Sequence, residues 1–157
     1  MKKVLILAAL LSLTVVAASG SGDRKFRASL KGGNEVPPVK TDTSGKFRIE
    51  FEDDYSEATF RLDLDDAVRV TQAHLHCGER GENGPVVAFL FGFHDAGWDV
   101  DGTFLKEVTL TDANIINTET DCGSTLEELA HAIREGKVYV NVHSVAVPSG
   151  VVRGQVH

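Results

Sequence analysis

Three histidines lie in the alternating patterns that are typical of β-strands. His74 and His76 flank Leu75, and His143 ends the segment 138–143. A strand projects alternate side chains to opposite faces, so His74 and His76 share one face. The apolar residues of both segments occupy the other face, and this parity predicts that all three imidazoles point away from the core. Neutral imidazole is a ligand of zinc and copper. If the two strands are neighbours in the sheet, the three histidines would therefore form a metal site.

Other residues are candidates to complete such a site, and His94, in a segment that follows an apolar strand, is the candidate fourth ligand. Spacing does not choose between it and three further candidates, which are His157, Asp95 and Asp99. An equally open interpretation is that His74 and His76 are ordinary polar residues of a sheet face, or that they donate hydrogen bonds to the Gly-rich loop 78–84.

The first 18 residues have the order of a secretory signal peptide. Lys2 and Lys3 precede the apolar run 4–16, and the small residues 17–20 follow it. We therefore expect residues 1–18 to be a signal peptide, 19–25 a flexible N-terminus and 26–157 a single domain. The mature protein is expected to be exported, to the periplasm or the extracellular space, and to lack a membrane span after cleavage.

The chain contains two cysteines, Cys77 and Cys122. In an oxidising compartment an even number of cysteines is interpreted first as a disulfide, so we expect these two to be paired. They lack the closely spaced pairs of a structural zinc site. Parity also places Cys77 on the core face of its strand, away from the histidines, which argues against its being a fourth metal ligand.

The composition excludes some classes of partner. The formal net charge is −7, and signal cleavage would remove two further lysines. Nucleic acids and anionic membranes require clustered Lys and Arg, so neither is expected as a partner. The negative net charge favours cations as ligands, and a protein partner is also an open alternative.

Alternating apolar segments separated by short turns predict an antiparallel β-sandwich or barrel. The segment 86–91 is almost wholly apolar and is predicted to be buried on both faces, whereas 94–102 is predicted to be a loop. One short helix is predicted before the last strands, with Ser124 as cap, Glu127 three positions later and Gly136 as the stop. The predicted strands are 26–30, 46–52, 55–64, 70–77, 86–91, 104–110, 138–143 and 151–156.

The remaining constellations do not predict an enzyme. Asp63, Asp65 and Asp66 lack the frame of a calcium loop. His143 and Ser144 are adjacent on a strand and so point in opposite directions, and no nucleophile elbow is present. We therefore assign no catalytic residue.

Four stretches of the chain together resemble the CHRD family, whose domain is named after chordin. They are residues 28–39, 73–87, 136–144 and 148–156, and they cover nearly all of the mature chain in order. The resemblance implies an immunoglobulin-like β-sandwich and a secreted or extracellular module. It is more specific for the family than for an activity.

A more distant similarity is to the copper-zinc superoxide dismutases, which are Greek-key sandwiches. His74, His76 and His143 match a His-x-His and a strand-terminal His that bind copper in those enzymes. The His-rich loop that supplies the zinc ligands is missing, because only His94 and His131 occur between His76 and His143. The sequence thus predicts an exported binding module with a copper or zinc site. The alternatives are an interaction or structural module without metal, and a copper-dependent oxidoreductase.

Overall fold

The computed structural model describes residues 24–116 and 119–157. The predicted signal peptide and most of the segment 19–25 lie outside these residues. The described chain forms seven strands and one short α-helix, with single 3-10 turns at Gly32–Asn34 and Asp112–Asn114. The strands are β1 Lys25–Lys31, β2 Ser44–Phe51, β3 Ala58–Cys77, β4 Val86–Phe91, β5 Trp98–Leu110, β6 Val138–Ser144 and β7 Val152–Gln155, and the helix is α1 Leu126–Arg134.

All strand pairs are antiparallel, and the sheet closes into a barrel through β3. The order is β2-β1-β7-β6-β3-β4, and β3 pairs in addition with β2 and β5. The first part of β3 pairs with β2 and β5, while its last part pairs with β6 and β4. The predicted all-β class is confirmed, as is one short helix within the described residues. The Greek-key immunoglobulin-like sandwich is not confirmed.

β3 is a continuous strand of 20 residues, although its sequence predicts two strands with a break between 64 and 70. Asp66 and Arg69 have φ angles of 52° and 50°, and the register against β5 shifts on both sides of Ala67. These features are bulges, which interrupt the alternation of side chains without ending the strand. The period of two is therefore lost in the sequence while the pairing continues.

Two further expectations about strands are wrong. The segment from Trp98 to Gly102 belongs to β5 and not to a loop, because Trp98 pairs with Val70 of β3. Bulges also disturb β5, where Glu107 has a φ of 55°. In β4, Phe89 remains 50% exposed, so the strand is not buried on both faces.

The helix has the predicted cap motif one residue later than expected. Thr125 is the N-cap, and its hydroxyl accepts a hydrogen bond from the Glu128 amide at 3.2 Å. The Glu128 carboxylate in turn accepts from the Ser124 amide at 2.7 Å. His131 lies on the exposed face and is 3.4 Å from Glu135, as expected for a solvated helix residue.

The expected disulfide between Cys77 and Cys122 is present, with the sulfurs 2.07 Å apart. It closes a separation of 45 residues and ties the end of β3 to the connection that precedes α1. Loop closure of this size contributes roughly 3 to 4 kcal/mol to stability in the chain-entropy account. The disulfide thereby anchors the segment that carries His74 and His76. Among the described residues, no helix has both the length and the apolar character to cross a membrane.

Candidate metal centre

The pairing of β3 with β6 brings the three histidines onto one face. His74 is opposite Asn141, and His143 is opposite Gln72, two residues further along the same two strands and so on the same face. His76 lies two residues after His74 on that face. One ring nitrogen of each histidine can be chosen so that all three lie within 4.8 Å of one another. The predicted grouping of His74, His76 and His143 is present in the structure.

Two backbone carbonyls determine which ring nitrogens carry protons. The Nδ1 of His76 is 2.9 Å from the carbonyl of Gly84, and the Nδ1 of His143 is 2.9 Å from that of Pro148. A carbonyl only accepts, so both Nδ1 atoms must donate, and each Nε2 of these neutral rings keeps a lone pair. Such contacts to carbonyls are typical of histidines that bind metals, because they orient the ring and fix its tautomer.

His74 completes the group. Its Nδ1 is 3.0 Å from the Nε2 of His143, which accepts the hydrogen bond. The Nε2 atoms of His74 and His76 are buried and have no hydrogen-bond partner among the described residues. An unsatisfied buried polar atom costs about 1 to 3 kcal/mol, so the apo arrangement is unfavourable at two positions. A metal ion accepts lone pairs of this kind, and the residues therefore fit a metal.

The distances require only a small adjustment. Imidazole nitrogens bind zinc at about 2.0 to 2.1 Å, so two ligands of one ion lie at most about 4.2 Å apart. One ring nitrogen from each histidine lies within 4.8 Å of the others, so the group is slightly wider than this limit. A modest approach of the rings would bring all three nitrogens to one ion.

Burial keeps the histidines neutral. Burial, together with the neighbouring His143 and His76, lowers the pKa of His74 from 6.5 to about 4. Burial likewise lowers the pKa of His76 to about 4, against the hydrogen bond to Gly84. The pKa of His143 is also lowered by burial. At neutral pH the three rings are in the form that binds metals.

The chain matches the family of the CHRD domain over residues 26–156. It belongs to the CHRD domain family. The resemblance noted from the sequence is thereby confirmed. No curated protein and no solved structure shows significant similarity to this chain.

In this CHRD domain, the histidine face is covered and forms a second, polar interior. Parity places these side chains opposite the core, as expected, but sequence reasoning did not identify what covers them. The loop 78–85 and the turn 144–151 lie over the face, through the contacts of Gly84 and Pro148. The buried polar residues of this face include His74, Asn141, His143, Arg153 and Gln155.

Arg153 is a functional candidate that the sequence analysis missed. Its guanidinium lies 3.4 Å from the centre of the Tyr139 ring, and that ring stacks on His76 at 4.7 Å. Arg153 also donates to the side chain of Asn83 and to the carbonyl of Glu79, which holds the covering loop in place. Its charge contributes to the low pKa of His76. Alternation within 151–156 was the only available signal, because it sets Arg153 on the face opposite Val152 and Val156.

Glu35 was also missed. It is 6% exposed and accepts a hydrogen bond of 2.8 Å from the amide of Asn141. Burial raises its pKa from 4.5 to about 7, although Arg153 and Asn141 oppose this. Nothing in its local sequence, where a 3-10 turn and two prolines surround it, indicates a buried carboxyl group.

The other predicted ligands lie elsewhere. The exposed ring of His94 packs against Trp98 at 5.4 Å, and His94 is not one of the grouped histidines. Its role as a fourth ligand therefore stays a prediction. The backbone of His157 pairs with that of Arg27, and Asp99 accepts from the Arg69 amide. Asp95 accepts from the amide of Ala96.

Proposed function

We propose that this CHRD domain is an exported binding module that holds one copper or zinc ion through His74, His76 and His143. The observation that carries the proposal is the pair of buried, unpartnered Nε2 atoms on His74 and His76. Carbonyl contacts already hold His76 and His143 in the tautomers that such a site needs. Three neutral nitrogens suit both metals, and the divalent affinity order favours copper.

The disulfide and the family support an exported location. Disulfides persist in oxidising compartments, which for this chain means the periplasm or the extracellular space. The predicted signal peptide is in keeping with this location. Partners of this module would meet it outside the cytoplasm.

Metal loading of the purified protein tests the proposal. We expect one ion of copper or zinc per chain, measured by titration calorimetry and elemental analysis after desalting. His76→Ala and His143→Ala should each lower the affinity at least tenfold, whereas His131→Ala, which removes an exposed histidine from α1, should leave it unchanged. Absence of stoichiometric binding, or equal affinities for the His76 and His131 variants, would overturn the proposal.

His94→Ala answers a separate question in the same assay. A loss of affinity in this variant would make His94 a fourth ligand. An unchanged affinity would leave the site with three protein ligands and an open position. Redox turnover by the copper-loaded protein would favour the oxidoreductase alternative.

A metal-free interaction module is the second candidate function. It is favoured by four exposed apolar side chains, each at least half exposed: Val68, Phe89, Phe93 and Trp98. Exposed apolar side chains that form one contiguous patch are typical of interaction sites. The metal titration separates the two functions, because an interaction module of this kind would bind no stoichiometric metal.

A further inference from the structure

Three arginines are aligned across the outward face of β1, β2 and β3. Arg27 is directly opposite Arg48, and Arg48 is directly opposite Arg61. Adjacent strands are about 4.8 Å apart, so this arginine row extends about 10 Å across the sheet. Arg27 and Arg48 are exposed and Arg61 is partly exposed, while their sequence neighbours point into the core.

This alignment is unfavourable within the protein. Like charges directly opposite each other on neighbouring strands destabilise a sheet. Arg61 is paired with Asp63 at 2.7 Å, but neither Arg27 nor Arg48 forms an ion pair in the part of the chain that the structure describes. Arg27 and Arg48 thus lie side by side without an ion pair among the described residues, although the charge of Arg48 also acts on Asp63.

The nearby carboxylates are mostly engaged. Glu50 is paired with Lys25 at 2.7 Å, and Glu107 lies 3.7 Å from Lys106. Asp63 accepts hydrogen bonds from Arg61 and from Thr103. Glu52 also borders the row and forms no ion pair among the described residues. Among the described residues, none of these carboxylates forms an ion pair with Arg27 or Arg48.

The outward face of these strands differs in charge from the rest of the chain. The whole sequence carries a net charge of −7, which argues against nucleic acids and anionic membranes as partners. The outward side chains of β1, β2 and β3 include six cations and three carboxylates, and Glu52 and Glu107 line the same depression, so the net charge is still locally positive. The cations are Lys25, Arg27, Lys31, Lys46, Arg48 and Arg61, and the carboxylates are Glu50, Asp63 and Asp65.

The shape of the surface indicates the kind of anion that fits. The row lines an open depression of about 680 Å³ and not an enclosed cavity. Guanidinium groups bind sulfate and carboxylate groups through paired hydrogen bonds. Charges repeated at strand spacing across an open surface match an extended polymer that carries several anionic groups better than one small ion.

We propose that the row of Arg27, Arg48 and Arg61 binds an extended acidic polysaccharide. The polymer lies across β1, β2 and β3, and its sulfate or carboxylate groups pair with successive guanidinium groups. Its charge relieves the repulsion between Arg27 and Arg48. This inference is independent of the metal site, whose histidines lie on β6 and the last part of β3.

Binding to defined polymers tests this proposal on the purified full-length protein. We expect saturable binding to dextran sulfate and to polygalacturonate, which weakens as NaCl is added, and none to neutral dextran. The double variant R27Q/R48Q should bind at least tenfold more weakly and with a smaller salt dependence. The control K40Q/R80Q removes the same charge from exposed residues outside these strands and should change the affinity less than threefold.

Stability provides a second, independent measurement. If Arg27 and Arg48 repel each other in the folded protein, the melting temperature of R27Q/R48Q should be no lower than that of the unmodified protein at low ionic strength. Lower melting would show that the row stabilises the sheet and would contradict the proposal. So would equal losses of affinity in both double variants, binding to inorganic sulfate as tight as to the polymer, or binding to phosphatidylglycerol vesicles without binding to either polymer.

Discussion

The two ends of β3 share a core face but differ on the opposite face. From Ala58 to Asp65, buried and more exposed residues alternate, and the outward side chains, such as Arg61, reach solvent. From Val70 to Cys77 the outward side chains are largely covered, and His74 is only 4% exposed. The same strand thus has one buried face at its beginning and two at its end.

This difference shows what covering a polar face does to its chemistry. Arg61 is close to solvent and to one carboxylate, so its charge remains available to ligands. His74 and His76 are enclosed by loops and neighbouring strands, so their rings stay neutral and their Nε2 atoms have no hydrogen-bond partner among the described residues. The exposed part is suited to anions, and the covered part to a metal ion.

The core face should be equivalent in the two parts of β3. Leu62 and Leu75 are both fully buried. Leu62→Ala and Leu75→Ala should each lower the free energy of unfolding by about 2 to 5 kcal/mol, because each leaves a cavity. Urea denaturation measures this. A cost below 1 kcal/mol for only one of them would show that the two parts do not share one core.

Acid should destabilise the metal-free protein through the covered part. Burial lowers the pKa of His74 and His76 to about 4, so the unfolded chain binds protons first as the pH falls. Stability is full above about pH 6.5 and falls towards pH 4, by on the order of 3 kcal/mol per histidine. His76→Gln should reduce this loss and His131→Gln should not. Equal pH profiles for both variants would contradict the assignment.

Variants of Arg153 and Arg61 allow a direct comparison of the covered and the exposed outward face. Arg153→Met removes two hydrogen bonds to the loop 78–85 and the contact with Tyr139, so it should cost about 2 to 3 kcal/mol. Arg61→Met removes a partly exposed ion pair and should cost clearly less than Arg153→Met. Thermal denaturation of both variants measures the difference. Equal costs would mean that covering the face has little energetic effect.

Glu35 should give the smallest effect, with the opposite pH dependence. Its raised pKa means that the folded protein holds the proton more tightly than the unfolded chain, so its contribution is lost as the pH rises towards about 7. Glu35→Gln should therefore gain stability relative to the unmodified protein as the pH rises from 5 to 8. The exposed Glu52→Gln is the control. A gain of the same size in that control would refute the role of Glu35.

Parity predicted the histidine grouping correctly because it depends only on the period of two in β3 and β6. It also placed Cys77 on the other face. The cover over the histidines could not be predicted, since the paths of the loop 78–85 and the turn 144–151 depend on distant contacts such as that of Arg153 with Asn83. The continuity of β3 could not be predicted because its bulges interrupt the period of two. The arginine row could not be predicted from the net charge, because that sum contains no information on where charges cluster.

Nitrogen NMR of the imidazole rings tests the three-histidine site most directly. In the metal-free protein at pH 7, His76 and His143 should be neutral, with the proton on Nδ1 and a lone pair on Nε2. One equivalent of zinc should shift the Nε2 signals of both rings and the signals of His74, and leave His131 unchanged. Rings that carry the proton on Nε2, or signals of His74, His76 and His143 that zinc does not move, would contradict the site.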